Sequence, residues 1–225
     1  EGWKEYKLSM FFDNENIQTH QESERSTIIK KELVGALALG YEDLIPRLKK
    51  RLINTGSYGA SEVILISDGS DWIEKIFQTL FPGGPMVLDW YHATEHIYGC
   101  AKEICKDNDV AEAWATFYKH LLYIGGIDYI LDRLALKAAQ AKNQTPIRNL
   151  YSYFKARQDR VRYDIFRDKG YPIGSGAIES ANKYSVQIRL KQAGMRWRIK
   201  NANGVAELRN LYISGRWDQI WANAA

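Results

Sequence analysis

Val63-Ile64-Leu65-Ile66-Ser67-Asp68-Gly69-Ser70 opens the stretch on which the fold turns; an amphipathic run from Trp72 to Phe81 follows, then Pro82-Gly83-Gly84-Pro85, then Met86-Val87-Leu88-Asp89. Four consecutive apolar residues suit a strand covered on both faces. Ser67 to Ser70 ends that strand with turn-forming residues. Trp72 to Phe81 carries its apolar residues at helical spacing, and the Pro and Gly run stops it. Met86 to Leu88 is a second short buried strand. A strand, a helix and a strand in this order predict two parallel strands joined by a right-handed crossover. Asp68 and Asp89 then fall at the carboxyl ends of neighbouring strands, where open α/β sheets place their sites.

Working outward, Tyr6, Leu8, Met10 and Phe12 alternate with polar residues, so Trp3 to Phe12 reads as a strand. Asn16 to Thr19 is a possible second, hairpin-paired strand. Tyr41 to Asn54 reads as a helix with Leu44, Ile45, Leu48 and Leu52 on one face and Pro46 in its first turn, where proline is tolerated. Downstream, His92 to about Arg167 is helical in pattern, with breaks at Gly125-Gly126 and Thr145-Pro146. Tyr171 to Gly176 is a loop, and Ser175 is a fitting N-cap for a helix from Gly176 to about Ala193. Asn201 to Trp221 forms one or two closing helices. The expected organisation is an α/β core interrupted by a helical block of roughly eighty residues, longer than an ordinary connection.

The 225 residues are 45% hydrophobic and 26% charged, as in a globular chain with a real core. The chain begins at Glu1 rather than Met, which is expected of a fragment or processed chain. Two cysteines, Cys100 and Cys105, do not make a secreted disulfide framework. No apolar run reaches membrane-spanning length and no signal peptide opens the chain, so the expected location is the cytoplasm, without a membrane partner. Net charge is only +4, but Lys183 to Arg216 holds eight Lys or Arg against one acid, Glu207. A basic C-terminal face suits a polyanion partner; a solvated helix surface accounts for the same charges equally well.

Asp68, held at a strand end, presents hard oxygen ligands of the kind magnesium or manganese prefers. Alternatively, Ser67-Asp68-Gly69 only caps a turn. Glu179 lies in the first turn of the Ser175-capped helix, where a glutamate also favours the helix dipole. The small residues before it admit a phosphate backbone. Lys183, Arg189, Lys191, Arg196, Arg198 and Lys200 follow, with Trp197 among them. Acids hold metals, cations steer a polyanion without reading sequence, and an aromatic ring can stack on a base. A buried position is the first expectation for Trp197, ahead of stacking, and Tyr184 and Ile188, one turn apart, suit the core. Two-metal phosphoryl transfer needs ions about 3.5–4 Å apart held by several acids, so a third acid is required; Asp13 and Asp89 are candidates.

Ile66-Ser67-Asp68-Gly69, Trp72-Ile73, Leu80-Phe81-Pro82 and Leu88-Asp89-Trp90-Tyr91-His92 together resemble bacterial insertion-sequence transposases of the Mutator-like DDE superfamily. Gly174 to Ala181 and Arg189 to Trp197 resemble the segment around that superfamily's catalytic glutamate, and Leu208-Arg209 and Gly215 to Asp218 extend the likeness. The resemblance covers nearly the whole chain. It implies a ribonuclease-H-like mixed sheet interrupted by an all-helical insertion. The core would span 1–92, the insertion 93–168, and the glutamate helix with its basic helices 169–225. It implies a metal-dependent polynucleotidyl transferase that cleaves and joins DNA at transposon ends, using Mg2+ or Mn2+ and acting as a homo-oligomer on DNA. Asp68 would be the second acid of the triad and Glu179 the third. Asp89 and His92 would form the accessory Asp-x-x-His signature. Lys183, Arg189, Lys191, Arg196, Trp197 and Arg198 would contact DNA.

The likeness departs at the N-terminus. The family's first acid lies on a strand upstream of a segment like Trp3-Lys4-Glu5, so that strand and its Asp are expected to be missing here, unless Asp13 takes the role. Two other readings remain. A non-catalytic, transposase-derived DNA-binding protein needs the basic face and no metal. His92-Ala93-Thr94-Glu95-His96 matches the H-x-x-E-H zinc-peptidase pattern, with Cys100 one turn on, which would make a catalytic or structural zinc site.

Overall fold

Leu37 pairs with Tyr6, Gly35 with Leu8 and Leu33 with Met10, so the first strand, β1 (Tyr6–Phe11), lies antiparallel to β4 (Glu32–Leu37) in the computed structural model, which describes residues 4–20, 25–37, 40–140 and 145–222. Between them, β2 (Ile17–His20) pairs antiparallel with β3 (Arg25–Ile28). The expected strand at Asn16 to Thr19 is therefore hairpin-paired with β3 rather than with β1. Trp3, the expected start of the first strand, lies outside the described residues. The partner of β1 is a segment to which the sequence pattern assigns no strand. Gly35 interrupts it, and glycine weakens any strand signature. That glycine has a specific reason. A Cβ at position 35 would lie 2.5 Å from the Tyr6 hydroxyl and 2.7 Å from the Lys7 carbonyl, so only a hydrogen lets the Tyr6 ring cross the strand. Helix α1 (Leu44–Thr55) follows; it buries Leu44, Leu48 and Leu52, one turn apart, and ends at Gly56 with φ +80°.

Contacts divide the chain into two compact units, Glu1–Ser61 with Gly176–Ala225, and Glu62–Ser175. In the second, β5 (Leu65–Ser67) runs parallel to β6 (Met86–Leu88), with α2 (Asp71–Leu80) between them in sequence. The strand-helix-strand unit is as the sequence predicts. β5 is shorter and less covered than its apolar run implies: Val63 to Ile66 are half-buried, whereas Val87 and Leu88 are 1% exposed. The reason is position, because β6 joins the helical core and β5 packs only at its margin through Ile66. That core comes from α3 (Trp90–Ile104), α4 (Asn108–Tyr123), α5 (Ile127–Gln140), α6 (Thr145–Lys155) and α7 (Tyr163–Asp168). Ile97, Leu122, Ile130, Leu134 and Phe154 are fully buried, each worth about 1.5–3 kcal/mol of transfer free energy. Gly125, at φ +87°, turns the chain between α4 and α5 as expected, and α6 begins at Thr145. The contact boundaries, 61/62 and 175/176, differ from those of the three-part division the resemblance implies, since the helical block and the parallel strands share one core.

The chain then returns to the first unit. α8 (Gly176–Asn182) runs into a π-helical turn at Lys183–Gln187 and then into α9 (Ile188–Leu190). α10 (Ile199–Ile213) and α11 (Gln219–Ala222) close it. α10 lies along β4 and covers its open edge. The Leu37 amide donates to Asn203 Oδ1 at 2.7 Å, Asn203 Nδ2 donates to the Leu37 carbonyl, and the Leu33 amide donates to Ser214 Oγ at 3.0 Å. An open strand edge invites pairing with another chain, and side chains satisfy it here. Beneath, Asn210 is 4% exposed; its Nδ2 donates to the Tyr6 hydroxyl at 2.9 Å and its Oδ1 accepts from Ser185 Oγ.

Gly35→Ala should destabilise the protein by about 1–3 kcal/mol, because the added methyl meets a backbone carbonyl and a ring. Gly204→Ala, at an open position inside α10, should be neutral or stabilising by up to about 1 kcal/mol. Urea denaturation of both variants measures the contrast; equal effects would refute the steric account.

Candidate functional site

Asp68 stands exposed one residue past β5. Its Oδ1 accepts the Ser70 amide at 2.8 Å, an Asx-turn, and Ser67 Oγ accepts the Gly69 amide at 3.2 Å. The turn-capping role therefore occupies one oxygen, and Oδ2 has no hydrogen-bond partner among the described residues. Gly69 takes φ +83°, and a Cβ there would lie 2.8 Å from Arg157 Nε. Arg157, just beyond α6, donates Nη2 to the Gly69 carbonyl at 3.2 Å while its guanidinium lies 4.6 Å from the centre of the Tyr153 ring. The helical block thus holds the Asp68 turn from behind.

Asp89, one residue past β6, is 3% exposed. Its amide donates to the Ser67 carbonyl at 2.7 Å, extending the parallel pairing. Oδ1 accepts the His92 amide at 2.8 Å and caps α3, and Oδ2 accepts the Ser175 amide. The Trp90 amide donates to the Ile173 carbonyl at 2.9 Å. Together these bonds pin residues 173 to 175, the lead into the Glu179 helix. Fully buried Tyr163 donates its hydroxyl to the Leu88 carbonyl at 2.9 Å and packs edge-on against Trp90. Asp89 is an anchor with both oxygens in use.

His92 and His96 lie edge to face at 5.0 Å, and His96 stacks on Tyr153 at 3.8 Å. His92 Nδ1 is 3.7 Å from Glu95. The Tyr153 hydroxyl is buried without a hydrogen-bond partner among the described residues. Burial pushes it up to about 12; Asp68 and Asp89 act in the same direction and Arg157 opposes them. The charges of both acids are thus felt at one hydroxyl. Sequence patterns do not single out Tyr153 or Arg157. Arg157 lies in the turn just past α6, its Nη1 donating to the Tyr153 carbonyl at 3.4 Å, and only the packing of that end of α6 aims the pair at the Asp68 turn. Cys100, one helical turn beyond His96, is buried, and burial, with Glu103 and Cys105, raises its thiol to about 11.

In the first unit, Glu179 is exposed in the first turn of α8, and its side chain has no hydrogen bond or ion pair among the described residues. Lys183, Arg189, Lys191, Arg196, Arg198 and Lys200 are exposed as well, and residues 191–198 have no regular structure. Trp197, expected first to be buried, is instead 41% exposed between Arg196 and Arg198. Tyr184 and Ile188, expected in the core, are 52% and 38% exposed, and Ser185 and Val186 are buried instead. The π-turn explains the change. The Ile188 amide reaches back five residues to the Lys183 carbonyl, and Arg209 donates Nε and Nη2 to the Tyr184 carbonyl at 2.8 and 2.6 Å. Ser185, bonded to Asn210, turns inward and Tyr184 outward. Asp13, the alternative first acid, is exposed just past β1.

Within each unit, among the described residues, no three His, Cys, Asp or Glu side chains gather to hold a metal ion. Exposed carboxylates with unused oxygens, Asp68 and Glu179, are nonetheless the hard donors that Mg2+ takes, usually with waters completing its shell. No helix among the described residues is long and apolar enough to cross a membrane. Comparison with known proteins finds no matching family model, and no curated protein or solved structure matches.

Two outcomes are expected. Asp89→Asn keeps one acceptor but turns an NH2 towards a backbone donor, so it should cost about 1–3 kcal/mol in urea denaturation and speed amide exchange at Ser175. His96 is an exposed residue, but its ring is partly desolvated against Tyr153, and this lowers its pKa, reinforced by His92 and Arg157 and opposed by Glu95. A folded imidazole that resists protonation lets the unfolded chain take the proton first, so stability should fall as pH drops below about 6.5. The loss of Tm between about pH 7.5 and pH 5.5 should shrink in His96→Phe, which keeps the stack without the proton; an unchanged loss would count against this role for His96.

Proposed function

We propose that this chain is the catalytic region of a DDE-type transposase with a ribonuclease-H-like fold, cleaving DNA and transferring strands at transposon ends. The observation that carries it is the parallel pair β5–β6, whose first strand ends in an exposed, rigidly turned Asp68 with an unused oxygen. The ordered likeness of the flanking motifs to Mutator-like insertion-sequence transposases supports the same reading.

Asp68 and Glu179 would hold Mg2+ or Mn2+, with a third acid either upstream of Glu1 or at Asp13. Bound metal would activate water or a 3′-hydroxyl and stabilise the leaving oxygen. The chain's own residues supply the rest. Arg157 and Gly69 fix the Asp68 turn, and Asp89 ties the lead of the glutamate helix to the end of β6. In this reading Asp89 and His92, the accessory pair, act through position: the carboxylate caps the helix that presents the imidazole. Exposed Lys183, Arg189, Lys191, Arg196 and Arg198 would neutralise phosphates, and exposed Trp197 would stack on a distorted base. Work on two transposon ends suits a homo-oligomer on DNA in the bacterial cytoplasm.

Asp68→Asn and Glu179→Gln should each abolish Mg2+-dependent cleavage by the full-length protein while leaving DNA affinity within about threefold, since neither residue supplies positive charge. Cleavage at the wild-type rate by either variant would sink the assignment. DNA binding without cleavage by the wild type in Mg2+ and Mn2+ would point to the non-catalytic DNA-binding alternative.

A further inference from the structure

A groove in the first unit, lined by residues of β4, α1 and α10, encloses about 440 Å³. Arg47, Lys50 and Arg51 line it from α1, and Arg216, just past α10, joins them. Positions three and four apart share one helix face, so spacing alone brings Arg47, Lys50 and Arg51 of α1 together there. Two carboxylates answer the four cations. Glu32 is shared: Arg51 donates Nε and Nη2 to its oxygens at 2.8 and 2.6 Å, and Arg216 Nε lies 2.9 Å from Oε2. Glu207, unlike Glu32, is itself a lining residue. Arg47 and Lys50 are exposed, and their side chains have no hydrogen bond or ion pair among the described residues.

The side chains of Arg51, Glu32 and Arg216 are only 18%, 14% and 15% exposed. Two guanidiniums on one sheltered carboxylate leave positive charge where water screens it poorly. Burial, with Arg51 alongside, presses Arg216 towards its neutral form against the pull of Glu32. The cations exceed the carboxylates by two, and guanidinium forks match the oxygens of phosphate.

We propose that this groove is a phosphate-binding site, with Arg47 and Lys50 receiving the group at its mouth and the Arg51–Glu32–Arg216 cluster forming its positive wall. The source of the phosphate is a polynucleotide backbone. That choice alone rests on the function proposed above; the groove uses none of the residues assigned to metal binding.

The test is the double variant Arg47→Glu with Lys50→Glu, with Lys102→Glu plus Lys106→Glu, exposed lysines of the second unit, as a control of equal charge change. Fluorescence anisotropy of a labelled DNA duplex over a salt series is the first arm. The groove variant should lose about tenfold in affinity, and its slope of log K against log salt should fall by roughly 1–2, as for one or two lost phosphate contacts. The control should change little. Pyrophosphate is the second arm: it should raise the Tm of the wild type and not of the groove variant. A response to pyrophosphate without a change in the DNA slope keeps the site but makes a free phosphate compound its ligand. No response in either arm, or an equal DNA effect in the control, overturns the proposal. If the wild type does not bind duplex at all, the polynucleotide reading falls and pyrophosphate still decides the groove.

Discussion

A carboxylate almost wholly removed from water has to satisfy its oxygens within the protein, and Asp89 does so with two backbone amides far apart in sequence. One amide starts α3 and the other ends the loop before α8. Losing either would leave a buried acceptor or donor unmade, at about 1–3 kcal/mol each. The strand end, the first helix of the helical block and the lead into the glutamate helix are therefore held at one point. Tyr163 on Leu88 and Trp90 on Ile173 reinforce that point from either side. The Asp68 turn beside it follows the same principle, because Arg157 fills the space that a side chain at position 69 would take.

The first unit is organised by a different need. Among the described residues β4 pairs with a strand on one edge only, and Asn203 of α10 and Ser214 just past it serve the other. Once α10 is fixed, Asn210 and Arg209 face the preceding helix. Arg209 takes up the Tyr184 carbonyl, which the π-turn separates from the Ile188 amide, and Asn210 draws Ser185 inward. π-turns recur near functional sites, and this one follows Glu179 by a single helical turn. Its effect is to bury two short side chains and turn Tyr184 out among exposed cations.

The candidate residues readable in the sequence are those whose placement depends on neighbours along the chain. An apolar run ending in Ser-Asp-Gly places Asp68 past a strand, and small residues before a helix place Glu179 in its first turn. Arg157 and Tyr153 could not be found this way, since neither belongs to a local pattern that points at the Asp68 turn. β4 escaped for a related reason: Gly35 spoils its strand signature, and its need for glycine arises from the Tyr6 ring on another strand. Tyr184 and Ile188 followed a sound helical rule that fails where the helix changes pitch.

By itself, the sequence determined the parallel strand-helix-strand unit, the helical block with its break at Gly125-Gly126, and the exposure of a basic tail, because apolar periodicity, proline and glycine act over a few residues. Tertiary structure alone decided that β1 pairs with β4, that Asp89 is an anchor with no spare oxygen, and which face of the glutamate helix is buried. It also gathered Arg51 and Arg216 about Glu32. Each of these outcomes depends on a buried polar group or charge finding a partner remote in sequence, and no local propensity encodes that search.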